Sequence, residues 1–343
     1  MINIPPTRSI ARWLELVCLL VLGMVAVGGI TRLTESGLSM VRWEPILGAL
    51  PPLHQAAWQE RFEQYQQHPE YQQLKPEMTL REFKWIYFWE YLHRLLGRLL
   101  GLAYFVPLLV FLVRRQVRGR LAAQLGLGFV LGGLQGVVGW WMVKSGLSEN
   151  PYVSHYRLAT HLGLALIVLG YLWWIRLTLT APAPARPVPR LHRAALLFLA
   201  ALALQILYGA FVAGLNAGFF FNTFPLMGGH WRPPGLTVLE PLARNLADNA
   251  VAVQFIHRWL GVALAAATVL LWRSGARAAD EAQRRALVMV VQLTLLQVTL
   301  GIVTLILAVP VWLGVAHQVN AALLLLAVVT LIHATRGPTA EPR

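Results

Sequence analysis

The chain has a single cysteine, Cys18, among 343 residues. That excludes an internal disulfide and any thiolate metal cluster. Charge is also scarce: Asp, Glu, Lys and Arg together make up 13% of the chain, against about 25% in an ordinary soluble protein. Acids are the scarcer sign, with 15 Asp and Glu against 29 Lys and Arg, a net charge of +14. The N-terminus offers neither a small-residue cleavage site nor an Arg- and Ser-rich transit segment, so the first apolar block reads as a retained span.

What fills the chain is hydrocarbon. Hydrophobic residues make up 57% of it, and they come in long blocks rather than short stripes. A block of roughly 18 apolar residues or more is long enough to span a bilayer. Eight such blocks stand at about 12–31, 93–113, 121–143, 158–178, 193–214, 251–272, 286–309 and 312–334. Cys18 lies in the first, as a small buried apolar residue. The positive charge is sorted by side: Arg8 and Arg12 precede span 1, RRQVRGR (Arg114–Arg120) joins spans 2 and 3, and Arg176, Arg186, Arg190 and Arg193 surround the link between spans 4 and 5. Arg273, Arg277, Arg284 and Arg285 lie between spans 6 and 7, and Arg336 and Arg343 follow span 8. Excess arginine marks the cytoplasmic side. This sorting explains the net charge without nucleic acid. It predicts a multi-pass protein of the bacterial inner membrane with both termini cytoplasmic.

The spans repeat. EYLHRLLGRLLG (Glu90–Gly101) matches QFIHRWLGVALA (Gln254–Ala265), and LQGVVGWWM (Leu134–Met142) matches LQVTLGIVT (Leu296–Thr304). THLGLALIVLGYL (Thr160–Leu172) matches AHQVNAALLLLAV (Ala316–Val328), and GMVAVGGITR (Gly23–Arg32) pairs with GAFVAGLNAG (Gly209–Gly218). Four spans per half put both halves into the membrane from the same side. The expected fold is all-α integral membrane: eight transmembrane helices as two parallel-repeat four-helix bundles, with a pseudo-two-fold axis along the membrane normal. The halves fall at 1–180, with a long outer loop 32–89, and at 191–343, with an outer loop 215–250. The proline-rich TAPAPARPVPR (Thr180–Arg190) links them. In the first outer loop, Trp58, Phe62 and Tyr65 recur at helical spacing, which predicts an amphipathic helix at the membrane interface.

Six of the ten histidines, His54, His68, His155, His192, His230 and His333, fall in outer loops or near the inner surface, where no role is required of them. His93, His161, His257 and His317 instead lie inside spans 2, 4, 6 and 8, in their first turns and toward the outer face. Ionisable groups inside a membrane are costly and generally functional. Two level imidazoles on parallel helices suit axial ligation of a haem iron; zinc would want further ligands. The residues therefore suggest two bis-histidine haem sites, His93 with His161 and His257 with His317. Gly97, Gly101, Gly163 and Gly261 stand nearby as room for a large ring, and Arg94 and Arg258 as partners for haem propionates. The halves differ three residues before the first histidine, where Glu90 faces its counterpart Gln254. A carboxylate can exchange protons and an amide cannot, so the first half is read as the one that does chemistry.

At these residues the chain resembles the haem A synthase family, in its mitochondrial and alphaproteobacterial form. The resemblance is carried by GGITRLTESGLSMVRWEPILGALPPL (Gly28–Leu53), EFKWIYFWEYLHRLLGRLLG (Glu82–Gly101), HLGLAL (His161–Leu166), FNTFPLMGGHWRPP (Phe221–Pro234), VQFIHR (Val253–Arg258) and AHQVNAALLLL (Ala316–Leu326), in order along almost the whole chain. It implies an enzyme that oxidises a ring methyl of haem O to a formyl group through an alcohol, making haem A for terminal oxidases. It implies that His93 and His161 flank the substrate haem O, that Glu90 is needed for catalysis, and that His257 and His317 hold a haem b cofactor. A haem O synthase upstream and an electron-transfer partner are implied with it; an oligomer is compatible. Some relatives carry a cysteine pair in the first outer loop. This chain has none, so no thiol relay operates there. A membrane cytochrome b acting only in electron transfer, or a haem transporter, would also use four histidines. The relay would want haems at both faces, and a transporter has little use for two fixed bis-histidine sites. The topology is checked by reporter fusions: a fusion after Arg120 should read cytoplasmic, and a periplasmic reading there would rule it out.

Overall fold

The computed structural model describes residues 6–42, 44, 47–148, 150–180, 187–275 and 279–336. Most of the proline linker, residues 181–186, lies outside them, as do Arg186, Arg277 and Arg343 of the basic segments. Among the described residues the secondary structure is helical, with no strand. Eight helices are long and apolar enough to cross a membrane: α1 (Pro6–Leu33), α4 (Leu80–Val113), α5 (Gly119–Lys144), α6 (His155–Thr180), α7 (Pro189–Gly214), α8 (Ala250–Gly275), α9 (Glu281–Ile306) and α10 (Val311–Thr335). Two short ones, α2 (Gln55–Gln66) and α3 (Pro69–Leu74), stand in the loop between α1 and α4.

Local chemistry sets the helix starts. Thr79 and Glu82 form a capping box ahead of α4, and Asp280 and Gln283 form one ahead of α9; each satisfies end N–H groups that the helix itself cannot pair. His54 caps α2, its Nδ1 accepting the Ala57 N–H at 3.2 Å. The Thr79 cap starts α4 well before the apolar block. His93 therefore stands thirteen residues past Leu80, not in the first turns as the hydropathy suggested. The other three histidines lie six or seven residues into their helices.

The chain forms two compact units, one of Leu19–Ala165 and one of the chain up to Cys18 together with the chain from Leu166 onward. In the second, α7 packs on α8 and α10, and α9 packs on α8 and α10, so the four helices close on one another. The inner part of α6 joins them: Trp173 Nε1 donates to Thr330 Oγ1 at 2.9 Å, and Arg176 pairs with Glu15 at 3.2 Å. His333, expected at a surface, is buried beneath Trp174, with its Nε2 3.3 Å from Thr178 Oγ1.

In the first unit the aromatic stripe of α2 has a different fate from the one predicted. Phe62 and Tyr65 are buried in a protein core with Met40, Phe83, Ile86 and Tyr87. The Phe83 ring centre lies 5.1 Å from that of Phe62, 5.3 Å from Tyr65 and 5.7 Å from Tyr87. The helix thus spends its apolar face on the first turns of α4 rather than on lipid. That is possible only because α4 begins ten residues before Glu90. Beside the cluster, buried Glu70 accepts from Tyr65 Oη and Lys75 Nζ, both at 3.0 Å. Burial pushes the Glu70 carboxyl above its usual range, and the Lys75 ammonium opposes the shift. Lys75 also donates to the Glu35 carbonyl at 2.9 Å, tying the end of α3 to the end of α1. Phe83→Ala should destabilise this loop assembly by about 3–5 kcal/mol, the cost of an emptied aromatic site. Limited proteolysis between residues 50 and 78 measures it, and protection equal to that of the parent would contradict the packing.

Candidate functional site

Within Leu19–Ala165, α1 faces α4 at Gly28. A β-carbon on Gly28 would lie 3.2 Å from His93 Nε2. On the next pair of helices, a β-carbon on Gly139 of α5 would lie 2.9 Å from His161 Cε1. The other unit does the same twice: at Gly209 of α7, 3.1 Å from His257 Cε1, and at Gly301 of α9, 2.8 Å from His317 Cε1. Each imidazole thus fills the space left by a glycine on the preceding helix. The glycines singled out by sequence do other things. A β-carbon on Gly97 would meet Met24 and one on Gly261 would meet Gln205, while Gly101 and Gly163 have nothing within 4 Å. These contacts also correct the register of the repeat. Gly28, rather than Gly23, is the structural counterpart of Gly209, a shift of five residues.

Four residues before the glycine, three of the four helices carry glutamine. Gln135 Nε2 donates to the His161 backbone carbonyl at 2.9 Å and lies 3.5 Å from His161 Nε2. Gln205 Nε2 donates to the His257 carbonyl at 3.0 Å and lies 3.4 Å from His257 Nε2. Gln297 Nε2 donates to the His317 carbonyl at 3.0 Å and stands 3.1 Å and 3.3 Å from that ring's two nitrogens. Its own carbonyl is held by Asn320 Nδ2 at 2.7 Å. The signal for this Gln-x-x-x-Gly pattern was present in the sequence at Gln135–Gly139, Gln205–Gly209 and Gln297–Gly301, but apolar blocks hide it.

The histidine pairs fit an axial-ligand role on three observations. The rings of His257 and His317 stand edge-on to each other, nearly perpendicular, with centroids 6.4 Å apart. His161 Nδ1 and His257 Nδ1, with Gln135 Oε1 and Gln205 Oε1, are buried polar atoms without hydrogen-bond partners, as expected where a further group completes the site. Among the described residues no three His, Cys, Asp or Glu side chains gather as a metal cluster, so the ligand sets on offer are pairs.

The residues flanking the first histidine of each pair hold the outer loops. Glu90 is buried. Its Oε2 accepts from Ser39 Oγ and the Met40 N–H, both at 2.7 Å, and its Oε1 accepts from Arg94 Nη2 at 2.5 Å. Arg94 donates onward to the carbonyls of Met40 at 2.9 Å and Arg42 at 3.2 Å. In the other unit, Gln254 Nε2 donates to the Phe221 carbonyl at 3.3 Å. Arg258 donates to the carbonyls of Phe221, Thr223, Pro225 and Leu226 at 2.6–3.3 Å. The two positions are one helical turn apart on one face, and in both units that face is a clamp on the loop above the histidines. The change from Glu90 to Gln254 exchanges an acceptor for a donor in that clamp.

Comparison with known proteins matches residues 11–329 to the COX15-CtaA family model, described as cytochrome oxidase assembly protein. The chain belongs to this family. Among the relatives of the COX15-CtaA chain are the heme A synthase of Nitrosospira multiformis, 47% identical over 96% of this chain and 94% of its own length, and that of Rhodospirillum centenum, 48% identical over 96% and 89%. The heme A synthase of Azorhizobium caulinodans is 47% identical over 96% and 94%.

The glycine contacts carry a direct test. Gly301→Ala would set a methyl against the His317 ring in a tightly packed wall and should strip most of the haem absorbance from the purified protein. Gly163→Ala, in open space, should leave haem content and thermal stability within about 0.5 kcal/mol of the parent. Equal haem content in the two variants would contradict the close approach.

Proposed function

We propose that this COX15-CtaA protein is a haem A synthase, an integral-membrane oxidoreductase that converts the ring methyl of haem O to the formyl group of haem A by way of an alcohol. The supporting observation is the pair of matched histidine sites, one with a carboxylate and one without: Glu90 beside His93, Gln254 beside His257. The names of the relatives point the same way. In this reading the half 1–180, with outer loop 32–89, takes haem O between His93 and His161. The half 191–343, with outer loop 215–250, keeps haem b between His257 and His317. Both termini face the cytoplasm of a bacterial cell, the haem sites lie toward the outer face, and haem O comes from a farnesyl-transferring synthase. Each of the two successive two-electron oxidations passes its electrons to an oxidant outside this chain, by way of an electron-transfer partner.

The haem irons supply the redox chemistry; the chain supplies ligands, enclosure and a carboxylate. His93 and His161 would fix the substrate ring. The Glu90 carboxylate, fixed by three hydrogen bonds, is a preorganised negative group three residues from a ligand, placed to accept a proton or orient water as the methyl is oxidised. Arg94 and Arg258 hold the outer loops over the sites, and their guanidinium groups are the cations nearest the histidines in sequence for haem propionates.

Glu90→Gln tests the carboxylate. An amide cannot accept from the Met40 N–H, Ser39 and Arg94 at once, so a loss of about 1–3 kcal/mol in stability is expected. Haem b should be retained and haem O still bound, while haem A formation falls at least about a hundredfold. Ser39→Ala removes one bond of the same clamp and spares the carboxylate; it should keep most of the activity. Near-normal turnover in Glu90→Gln, or equal loss in Ser39→Ala, would overturn the chemical role. His257→Ala and His317→Ala should each remove the low-spin haem b spectrum, and unchanged spectra would overturn the cofactor assignment.

A further inference from the structure

The fourfold contact pattern has one exception. Gly139, Gly209 and Gly301 are each preceded, one helical turn inward, by a glutamine whose amide is bonded to the backbone carbonyl of the histidine and touches its ring. At His93 the corresponding residue is Met24. Two contacts fix the equivalence. Met24 is four residues before Gly28, as Gln205 is four before Gly209. Met24 Cε comes within 3.7 Å of a β-carbon built on Gly97, just as Gln205 Nε2 comes within 3.2 Å of one built on Gly261. Gly97 and Gly261 stand one turn past His93 and His257. A thioether has no hydrogen to donate, so nothing at position 24 can bond the His93 carbonyl or restrain the ring through a hydrogen bond.

We propose that Gln135, Gln205 and Gln297 are positioning residues that lock His161, His257 and His317 as permanent axial ligands, and that Met24 leaves His93 as the one exchangeable ligand. The inference rests on the reading of the two histidine pairs as haem sites and adds a division of labour to it. A resident cofactor gains from two locked ligands, as at His257 and His317. A substrate haem must bind and leave in every turnover, and one ligand free to swing off allows this without dismantling the other side. Partners of metal-bound histidines are worth about 10- to 100-fold in ligand affinity, enough to separate a ligand that exchanges from one that stays. The asymmetry is confined to one position in four. It falls in the half that carries Glu90, where chemistry is expected, and on the ligand belonging to the same helix as Glu90.

The test exchanges the two residue types. Purified protein with its resident haem is titrated with haem O, reduced, and titrated with carbon monoxide, which binds only where an axial ligand can be displaced. In the parent, the added haem O should bind carbon monoxide and the resident haem should not. Met24→Gln should weaken carbon monoxide binding to the added haem by about tenfold or more and raise its low-spin fraction, while Met24→Leu behaves as the parent. Gln205→Met should make the resident haem newly reactive to carbon monoxide. A merely structural role for these side chains would not move the two sites in opposite directions. Unchanged carbon monoxide affinity in Met24→Gln with haem O bound overturns the proposal. If Met24→Gln does not assemble, an inert resident haem in Gln205→Met overturns it. If His93→Ala and His161→Ala both bind haem O as the parent does, the haem reading itself has failed, and that is a result distinct from the other two.

Discussion

An imidazole can stand inside a wall of membrane helices only where the facing helix gives up a side chain. Helices in a membrane approach closely where small residues meet, and here the space gained is filled by a ring rather than by backbone. Gly28, Gly139, Gly209 and Gly301 each admit one histidine. The rest follows from those four contacts. They orient the rings, they set which residues lie one turn inward to touch the histidine's carbonyl, and they fix the register between each helix and the next. The glutamines then spend an amide N–H on the histidine's backbone carbonyl.

Above the histidines a second constraint operates. Each histidine-bearing helix of the α4 and α8 type carries a polar residue three positions before the histidine and an arginine one position after it. In both units these reach up to backbone groups of an outer loop. In one unit a carboxylate accepts from Ser39 and Met40; in the other an amide donates to Phe221. Arginine is suited to gathering several carbonyls at once because its donors form a rigid fork, and Arg258 gathers four. The loops therefore form a fitted cover rather than loose connections. The first gains further rigidity from the aromatic core of α2 and the start of α4.

The duplicated plan presents two sites with the same glycine–histidine contacts and different flanking residues. Both have a histidine pair, a glycine opposite each ring, and an arginine clamp. They diverge at Glu90 against Gln254, at Met24 against Gln205, and at Leu164 against Asn320, which holds the Gln297 carbonyl. The first changes what can accept a proton, the second what can donate to the histidine's carbonyl. Side-chain substitutions, rather than a new fold, distinguish the two sites.

The sequence by itself determined the eight helices, because long apolar blocks have few other stable forms in a membrane, and it determined the four histidines, because ionisable groups stand out against hydrocarbon. Glu90 against Gln254 was legible for the same reason: of two repeat-related stretches, only one carried an acid. Other features were set by tertiary structure alone. Apolar periodicity is nearly silent in a block that is hydrophobic all round, so the sequence pointed to Gly97, Gly101, Gly163 and Gly261 on the histidine helices. The glycines that face the rings lie on the preceding helices, at a register five residues from the apparent one between α1 and α7. The stripe of Trp58, Phe62 and Tyr65 has the same pattern whether it meets lipid or protein. The Thr79 cap chose protein by extending α4 far enough to receive it. And a methionine among apolar neighbours carries no message until the chain folds and its three counterparts prove to be glutamines.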